Sequence, residues 1–134
     1  MRYKEGFKGL PVAMNPYLID EMEPNFWLSC MLIDEDAMCT QTRSDCAASY
    51  VSATGKSCPT EILETLAKYN AEGRPIWKPM HMQPIFRDAA FVAAEEGADG
   101  GADIFARGLC LPSDNKMTAQ EQEKIIEIVK RCFD

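Results

Sequence analysis

The sequence predicts an α+β fold, a small and mainly antiparallel sheet with helices packed on one face. Three observations lead there. Residues 25–33 form one strong apolar run, two good helical patterns lie at 59–71 and after Thr118, and strands do not alternate with helices as regular βαβ units would. With 134 residues the chain suits a single domain spanning 1–134, large enough to bury a real core.

Residues 1–24 carry scattered apolar positions (Leu10, Val12, Tyr17, Leu18, Ile19) broken by Pro11, Pro16 and Pro24, which predicts a lead-in with at most short elements. At 25–33 aromatic, aliphatic and β-branched side chains run together until Asp34-Glu35-Asp36 stops them. So continuous a run predicts an interior strand covered on both faces. The stretch 36–58 is rich in Ser, Thr, Ala and Cys with little periodicity, which reads as a long loop or as a short helix with a strand at Ala47 to Val51.

A helix follows from Pro59 to Ala71. Pro59 suits its first turn, Glu61 and Glu64 favour its positive end, and Ile62, Leu63, Leu66 and Tyr69 make one stripe, with Gly73 the natural stop. Between 75 and 85 stand Pro75, Pro79 and Pro84, which forbid a helix and a regular interior strand; the segment Arg74–Phe86 should be extended and stiff. Residues 88–101 read as surface loop around a short helix, 102–107 as a helical turn stopped by Gly108, and Leu109-Cys110-Leu111 as a short strand. In the last helix Thr118 and Glu121 form a capping box, Ile125, Val129, Cys132 and Phe133 with Ile128 build the buried face, and Lys130 and Arg131 sit at the favourable end of the dipole.

Charge and cysteine usage narrow the function classes. The net charge of −7 argues against nucleic acid or an anionic membrane as a bulk partner, since both reward clustered Lys and Arg. No apolar stretch is long enough to span a bilayer, and the start lacks the apolar run of a secretory signal, so the expected location is cytoplasmic. Cysteines at 30, 39, 46, 58, 110 and 132 form no C-x-x-C pair, and His81 is the only histidine; no metal site is expected, and the thiols are expected to be reduced. Gly55-Lys56-Ser57 has Tyr50 where a phosphate loop needs its first glycine, and Gly97, Gly100 and Gly101 follow no strand, so neither is a nucleotide signature.

The stiff segment is what remains. It concentrates Arg74, Trp77, Lys78 and His81 within eight residues, groups suited to an anionic, sugar-bearing ligand: cations for phosphate, indole for stacking, imidazole for hydrogen bonding. The alternative on spacing alone is that Trp77 and His81 pack under the sheet with Arg74 and Lys78 solvated.

Three motifs occur in order: Asn25-Phe26-Trp27-Leu28-Ser29-Cys30, Arg74-Pro75-Ile76-Trp77-Lys78-Pro79-Met80-His81, and Arg107 to Ser113 followed by a Thr-capped helix. This succession, covering about residues 10 to 132, resembles the C-terminal portion of the DegT/StrS aminotransferases, which are pyridoxal-phosphate-dependent, dimeric and make amino sugars for surface polysaccharides, glycoproteins and antibiotics. The resemblance implies the C-terminal domain of the type I aminotransferase fold. It implies transfer of an amino group from glutamate or glutamine to a nucleotide-linked keto-deoxysugar, with Arg74, Trp77, Lys78 and His81 near that substrate and Leu109 to Ser113 structural. It also implies that the imine lysine, its acid partner and the phosphate cup belong to a large domain with no counterpart before Tyr17. The expectation is therefore no catalytic residue and no cofactor in this chain, pyridoxal phosphate in the complete parent enzyme, and inactivity alone. The missing large domain is the expected partner, with homodimerisation through the exposed face. A stand-alone nucleotide-sugar binding module and a regulatory partner of a complete aminotransferase are the alternatives.

Overall fold

A computed structural model describes residues 2–16, 25, 27–44 and 46–134. Tyr17, Leu18, Ile19, Pro24 and Phe26 of the expected lead-in and first motif lie outside the described residues. The elements in order are α1 (Arg2–Gly6), β1 (Val12–Met14), β2 (Ser29–Ile33), β3 (Thr40–Arg43), β4 (Ala48–Val51), α2 (Pro59–Lys68), β5 (Arg74–Pro75), α3 (Gly100–Arg107), β6 (Gly108–Leu111) and α4 (Ala119–Arg131). One four-stranded sheet has the order β1-β2-β6-β5, every pair antiparallel, and β3 and β4 form a separate hairpin. The predicted α+β class is the observed one.

Alternation along the two central strands sorts the faces. Met31, Ile33, Leu109 and Leu111 are fully buried and join Ile62 and Leu66 of α2, Tyr3 of α1 and Ile125, Ile126 and Val129 of α4 in one cluster. Burying a side chain of this kind contributes about 1.5–3 kcal/mol. Cys30, Leu32 and Cys110 occupy the alternate positions, outside that cluster. The expectation that the first strand is covered on both faces is thus corrected: β2 is interior in the sheet order, yet Cys30 and Leu32 are only half-buried. It also starts at Ser29, four residues later than the apolar run, because Trp27 points away from the core and is exposed.

The stretch 36–58 holds a β-hairpin: the strand expected at Ala47 to Val51 is β4, and β3, which pairs with it, was not expected. Its partners explain it. Gln41 Nε2 and Arg43 Nη1 each donate at 2.7 Å to the carbonyls of Ala106 and Phe105, supplying acceptors left open at the end of α3, and the Arg43 guanidinium lies 4.2 Å from the Phe105 ring centre. At the other end Glu61 of α2 accepts from Ser52 (2.6 Å) and Ser57 (2.9 Å), and Thr60 donates to Gln41 (2.9 Å). Ser52 and Ser57 of the stretch that reads as loop are donors that tie it to α2, and Gln41 and Arg43 tie the hairpin to α3.

The α2 helix ends earlier than expected. Asn70 takes a left-handed conformation (φ 58°), which Asn tolerates better than most residues, so the chain turns there and not at Gly73. Gly73 serves a different end: a Cβ on it would lie 2.7 Å from Leu63 and 3.0 Å from the Cys110 carbonyl. In α4 the capping box forms as read, with Glu121 N donating to Thr118 Oγ1 (3.2 Å) and Thr118 N to Glu121 Oε2 (2.7 Å). Ile126, absent from the expected face, is fully buried there, and Cys132 is only half-buried.

Three buried groups give the fold an alkaline limit. Burial pushes the thiols of Cys39 and Cys110 up to about 12, and pushes the Tyr3 phenol up as well. Below pH 9 folded and unfolded chains hold these thiol protons alike, so stability does not change on their account. Above it the unfolded chain releases them while the folded chain keeps them, and stability falls until about pH 12, by about 1.4 kcal/mol per pH unit for each thiol. Under reducing conditions the urea midpoint should therefore drop between pH 8 and 10.5; a midpoint unchanged over that span would contradict the burial argument.

Among the described residues no helix is long and apolar enough to cross a membrane, and no three His, Cys, Asp or Glu side chains stand close enough to hold a metal ion.

Candidate functional site

Segment 74–86 runs from the edge strand into two 3-10 turns, Met80–Met82 and Pro84–Phe86. Pro75 is confined to the sheet edge, as a residue without an N–H must be, and each turn begins at or after a proline. The expected extended conformation is corrected here. Proline fixes φ but leaves ψ free, and beyond Pro79 the chain takes the tight turns that this φ also permits.

Glycines within and just after α3 let the segment lie close. A Cβ on Gly101 would sit 3.4 Å from the Pro79 ring, and one on Gly108 would sit 2.8 Å from Ile76 and 2.5 Å from the Ile104 carbonyl. The third fixed point is polar. His81 Nε2 and Asp99 Oδ2 are 2.6 Å apart, and the other Asp99 oxygen accepts the Ala102 N–H at 2.9 Å, capping α3. That backbone bond first, and then His81, hold the Asp99 carboxyl below the usual carboxylate range. Phe91 stacks on the imidazole with ring centres 4.0 Å apart. With Nε2 engaged by a carboxylate, Nδ1 is the ring nitrogen left for a further hydrogen bond.

The four residues singled out from the sequence have different surroundings. Trp77 is 62% exposed and tilts against Trp27, itself 70% exposed, with ring centres 6.0 Å apart. Arg74 is exposed and pairs with Glu72 at 2.7 Å. Lys78 is half-buried, as is His81. The alternative reading, in which Trp77 is packed under the sheet, fails for Trp77 and holds in part for His81. Trp27, Phe91 and Asp99 belong to the site and were missed by sequence reasoning. For Asp99 the signal existed, an Asp one residue ahead of Gly-Gly-Ala and a helix; for Trp27 and Phe91 it did not, because their partners are distant in sequence.

Met80 and Ile85 of the segment are exposed like the two tryptophans, as are Phe91 and Val92 of the stretch that follows and Ile104 of α3. One concavity lies away from the site and a second borders it through Phe91 and Asp99. One of about 1250 Å³ runs along α4 past Tyr69, Pro112, Lys124 and Arg131, with acidic and basic groups mixed; another of about 470 Å³ is lined by residues 91–93 and 96–99. Neither is lined by Arg74, Trp77, Lys78 or His81.

The described residues do not fit a pyridoxal phosphate site. The phosphate of such a cofactor is commonly held by backbone N–H groups at a helix start, and here one such N–H of each of α2, α3 and α4 is already taken by Cys58, Asp99 and Thr118. The lysines are exposed apart from Lys78 and Lys130, which are half-buried, and Lys130 lies 3.9 Å from Glu127 on the surface of α4.

The sequence profile of the DegT/DnrJ/EryC1/StrS aminotransferase family matches residues 3–130. EpsN of Bacillus subtilis, described as a pyridoxal phosphate-dependent aminotransferase, is 44% identical over 75 residues, 56% of this chain and 19% of EpsN. Among solved structures, Spr1654 from Streptococcus pneumoniae, described as a sugar aminotransferase, superposes in its PMP form with a TM-score of 0.71 at 17% identity, over 98% of this chain and 28% of the other. PseC of Helicobacter pylori, an aminotransferase involved in the biosynthesis of pseudoaminic acid, superposes with a TM-score of 0.68 at 17% identity, over 98% of this chain and 30% of PseC. The two structural likenesses concern the fold. This chain spans about a fifth of EpsN and under a third of each structure.

Proposed function

The chain belongs to the DegT/DnrJ/EryC1/StrS aminotransferase family, and from that premise we propose that its residues form the C-terminal small domain of a pyridoxal-phosphate-dependent aminotransferase. The substrate class is a nucleotide-linked keto-deoxysugar destined for a surface polysaccharide or glycan. The observation that carries the reading is segment 74–81, pinned to α3 at Ile76, Pro79 and His81 while its indole stays exposed beside a second indole.

Each group has a task that its surroundings suit. The Trp27–Trp77 ledge offers π faces to a base or a sugar ring. The Arg74–Glu72 pair is exposed and contributes little by itself, so a substrate diphosphate competes for the guanidinium at small cost. His81, oriented by Asp99, hydrogen-bonds a sugar hydroxyl through Nδ1, and Lys78 adds positive charge alongside. Because these residues do not fit the cofactor, no chemical step is assigned to them: the imine lysine, the acid and the phosphate cup come from a large domain that packs on the exposed apolar side, and the chain by itself transfers no amino group. A homodimer and a cytoplasmic location complete the proposal.

Mixing the chain with a family large domain that carries the imine lysine and lacks its own small domain tests this directly. The pair should transfer the amino group of glutamate to a nucleotide-linked keto sugar, and the chain alone should not. In the pair, Trp77→Ala should raise KM for the nucleotide sugar roughly 5- to 100-fold, the range that one aromatic–base stack accounts for, and leave KM for glutamate unchanged. Transamination by the isolated chain, or an unchanged sugar KM, would refute the proposal.

A further inference from the structure

The two central strands carry a matched pair of thiols. Cys30 of β2 stands directly opposite Cys110 of β6, and the sulfur atoms are 3.8 Å apart. Both backbone groups of Cys30 are used on the other side of its strand: its carbonyl accepts the Asn15 N–H at 2.9 Å and its N–H donates to Asn15 Oδ1 at 3.2 Å. In an antiparallel ladder the N–H and C=O of one residue point the same way, so Cys30 and Cys110 face each other as a non-hydrogen-bonded pair. Such pairs hold their Cα atoms about 4.5 Å apart, within the roughly 4.4–6.8 Å that a disulfide spans. Closure therefore asks for rotation of side chains and not for movement of strands.

We propose that Cys30 and Cys110 are a reactive dithiol that takes a low-molecular-weight disulfide of the glutathione type as its oxidant and closes to a cross-strand disulfide. The step balances without other reagents. The Cys30 thiol loses its proton and its sulfur attacks one sulfur of the reagent; that S–S bond breaks and one reagent thiol leaves with a proton. Cys110 then attacks the Cys30 sulfur and expels the second reagent thiol. Two protein thiols are oxidised and one small disulfide is reduced to two thiols.

Access assigns the order. Cys30 is half-buried on the face of the sheet away from the apolar cluster, whereas Cys110 is 2% exposed and is reached only by its neighbour. Burial also pushes the Cys110 thiol up to about 12, so the closing attack accelerates about tenfold per pH unit as its thiolate fraction grows. Cys39 and Cys58 are both buried, 5% and 0% exposed, and lack an accessible first sulfur. Cys46 is exposed and takes up the reagent without a resolving partner. The inference stands apart from the proposed function, and neither depends on the other.

The test is incubation of the full chain with oxidised glutathione at pH 8, acid quench, alkylation and peptide mapping by mass. The expected product carries a Cys30–Cys110 linked peptide and glutathione on Cys46. Cys110→Ser should instead retain glutathione on Cys30, and the yield of the linked peptide should rise between pH 7 and 9. Stable glutathione on Cys30 in the unaltered chain, or a linked peptide that joins either cysteine to another, would overturn the proposal. The map of the unaltered chain decides even where a variant fails to fold.

Discussion

Replacing Ile126 with alanine is expected to remove about 2–5 kcal/mol of stability. Ile126 is fully buried in α4 and reaches across to α1, where a Cβ on Gly6 would lie 2.6 Å from its Cδ1. Its side chain fills the space that Gly6 leaves, so removing it takes apolar contact from α1 and α4 together. A domain of this size has roughly 5–15 kcal/mol in all, so the variant should be partly unfolded at physiological temperature. Urea unfolding followed by circular dichroism reads the effect. Ile126→Val should lose only about 0.5–1.5 kcal/mol, and equal losses for the two would mean that α1 does not rest on this side chain.

The second large effect is expected from an added atom. Gly108→Ala places a Cβ 2.5 Å from the Ile104 carbonyl and 2.8 Å from Ile76. Ile76 can turn aside, but the carbonyl belongs to the backbone of α3 and is fixed. Strain of this kind costs about 1–3 kcal/mol. Its reach goes beyond stability, because Gly108 is one of the points at which segment 74–86 rests on α3. When Ile76 is displaced, its neighbour Trp77 moves relative to Trp27, so indole fluorescence should change at denaturant concentrations well below the unfolding midpoint. A lowered midpoint with an unaltered native spectrum would show that the two glycine contacts are not coupled to the tryptophan ledge.

Both effects bear on what the sequence makes readable. The α4 helix was legible because its signals are local: a capping box, a 3.6-residue apolar period and basic residues in the last turn. Even so, Ile126 was left off its face, since the close approach of Gly6 widens the buried stripe and lies 120 positions away. The position of β2 was legible within four residues; its start was not, because Trp27 is apolar yet serves the outside surface. Of the β3–β4 hairpin only β4 was among the sequence alternatives, and β3 was missed for a physical reason. It has little apolar surface to bury and is held by side-chain hydrogen bonds to α2 and α3, which leave no periodicity. The stop of α2 went to Asn70 and not to the more obvious Gly73, because close packing against Cys110 had already claimed that glycine.

For the candidate site, the sequence located the stiff segment and its four polar or aromatic side chains. It did not supply their neighbours. Asp99, Phe91 and Trp27 are 18, 10 and 50 positions from the groups they touch, and only the folded chain brings them together. Proline spacing could say that side-chain directions are fixed; it could not say against what.

The sheet's borders have a consequence for how this chain behaves in crowded solution. On one border β5 is two residues long and one of them is Pro75; on the other β1 has three residues between Pro11 and Pro16. Neither offers the unbroken row of donors and acceptors along which a foreign strand could zip, so the two routes to self-association are uncoupled. Copies can adhere through their exposed tryptophans and methionines, but neither border of the four-stranded sheet gives that adhesion a template for a cross-β fibre, and the open edges of the β3–β4 hairpin are only four residues long. A chain with so much apolar surface outside should therefore form soluble clusters that disperse on dilution, with no lag phase and no seeding.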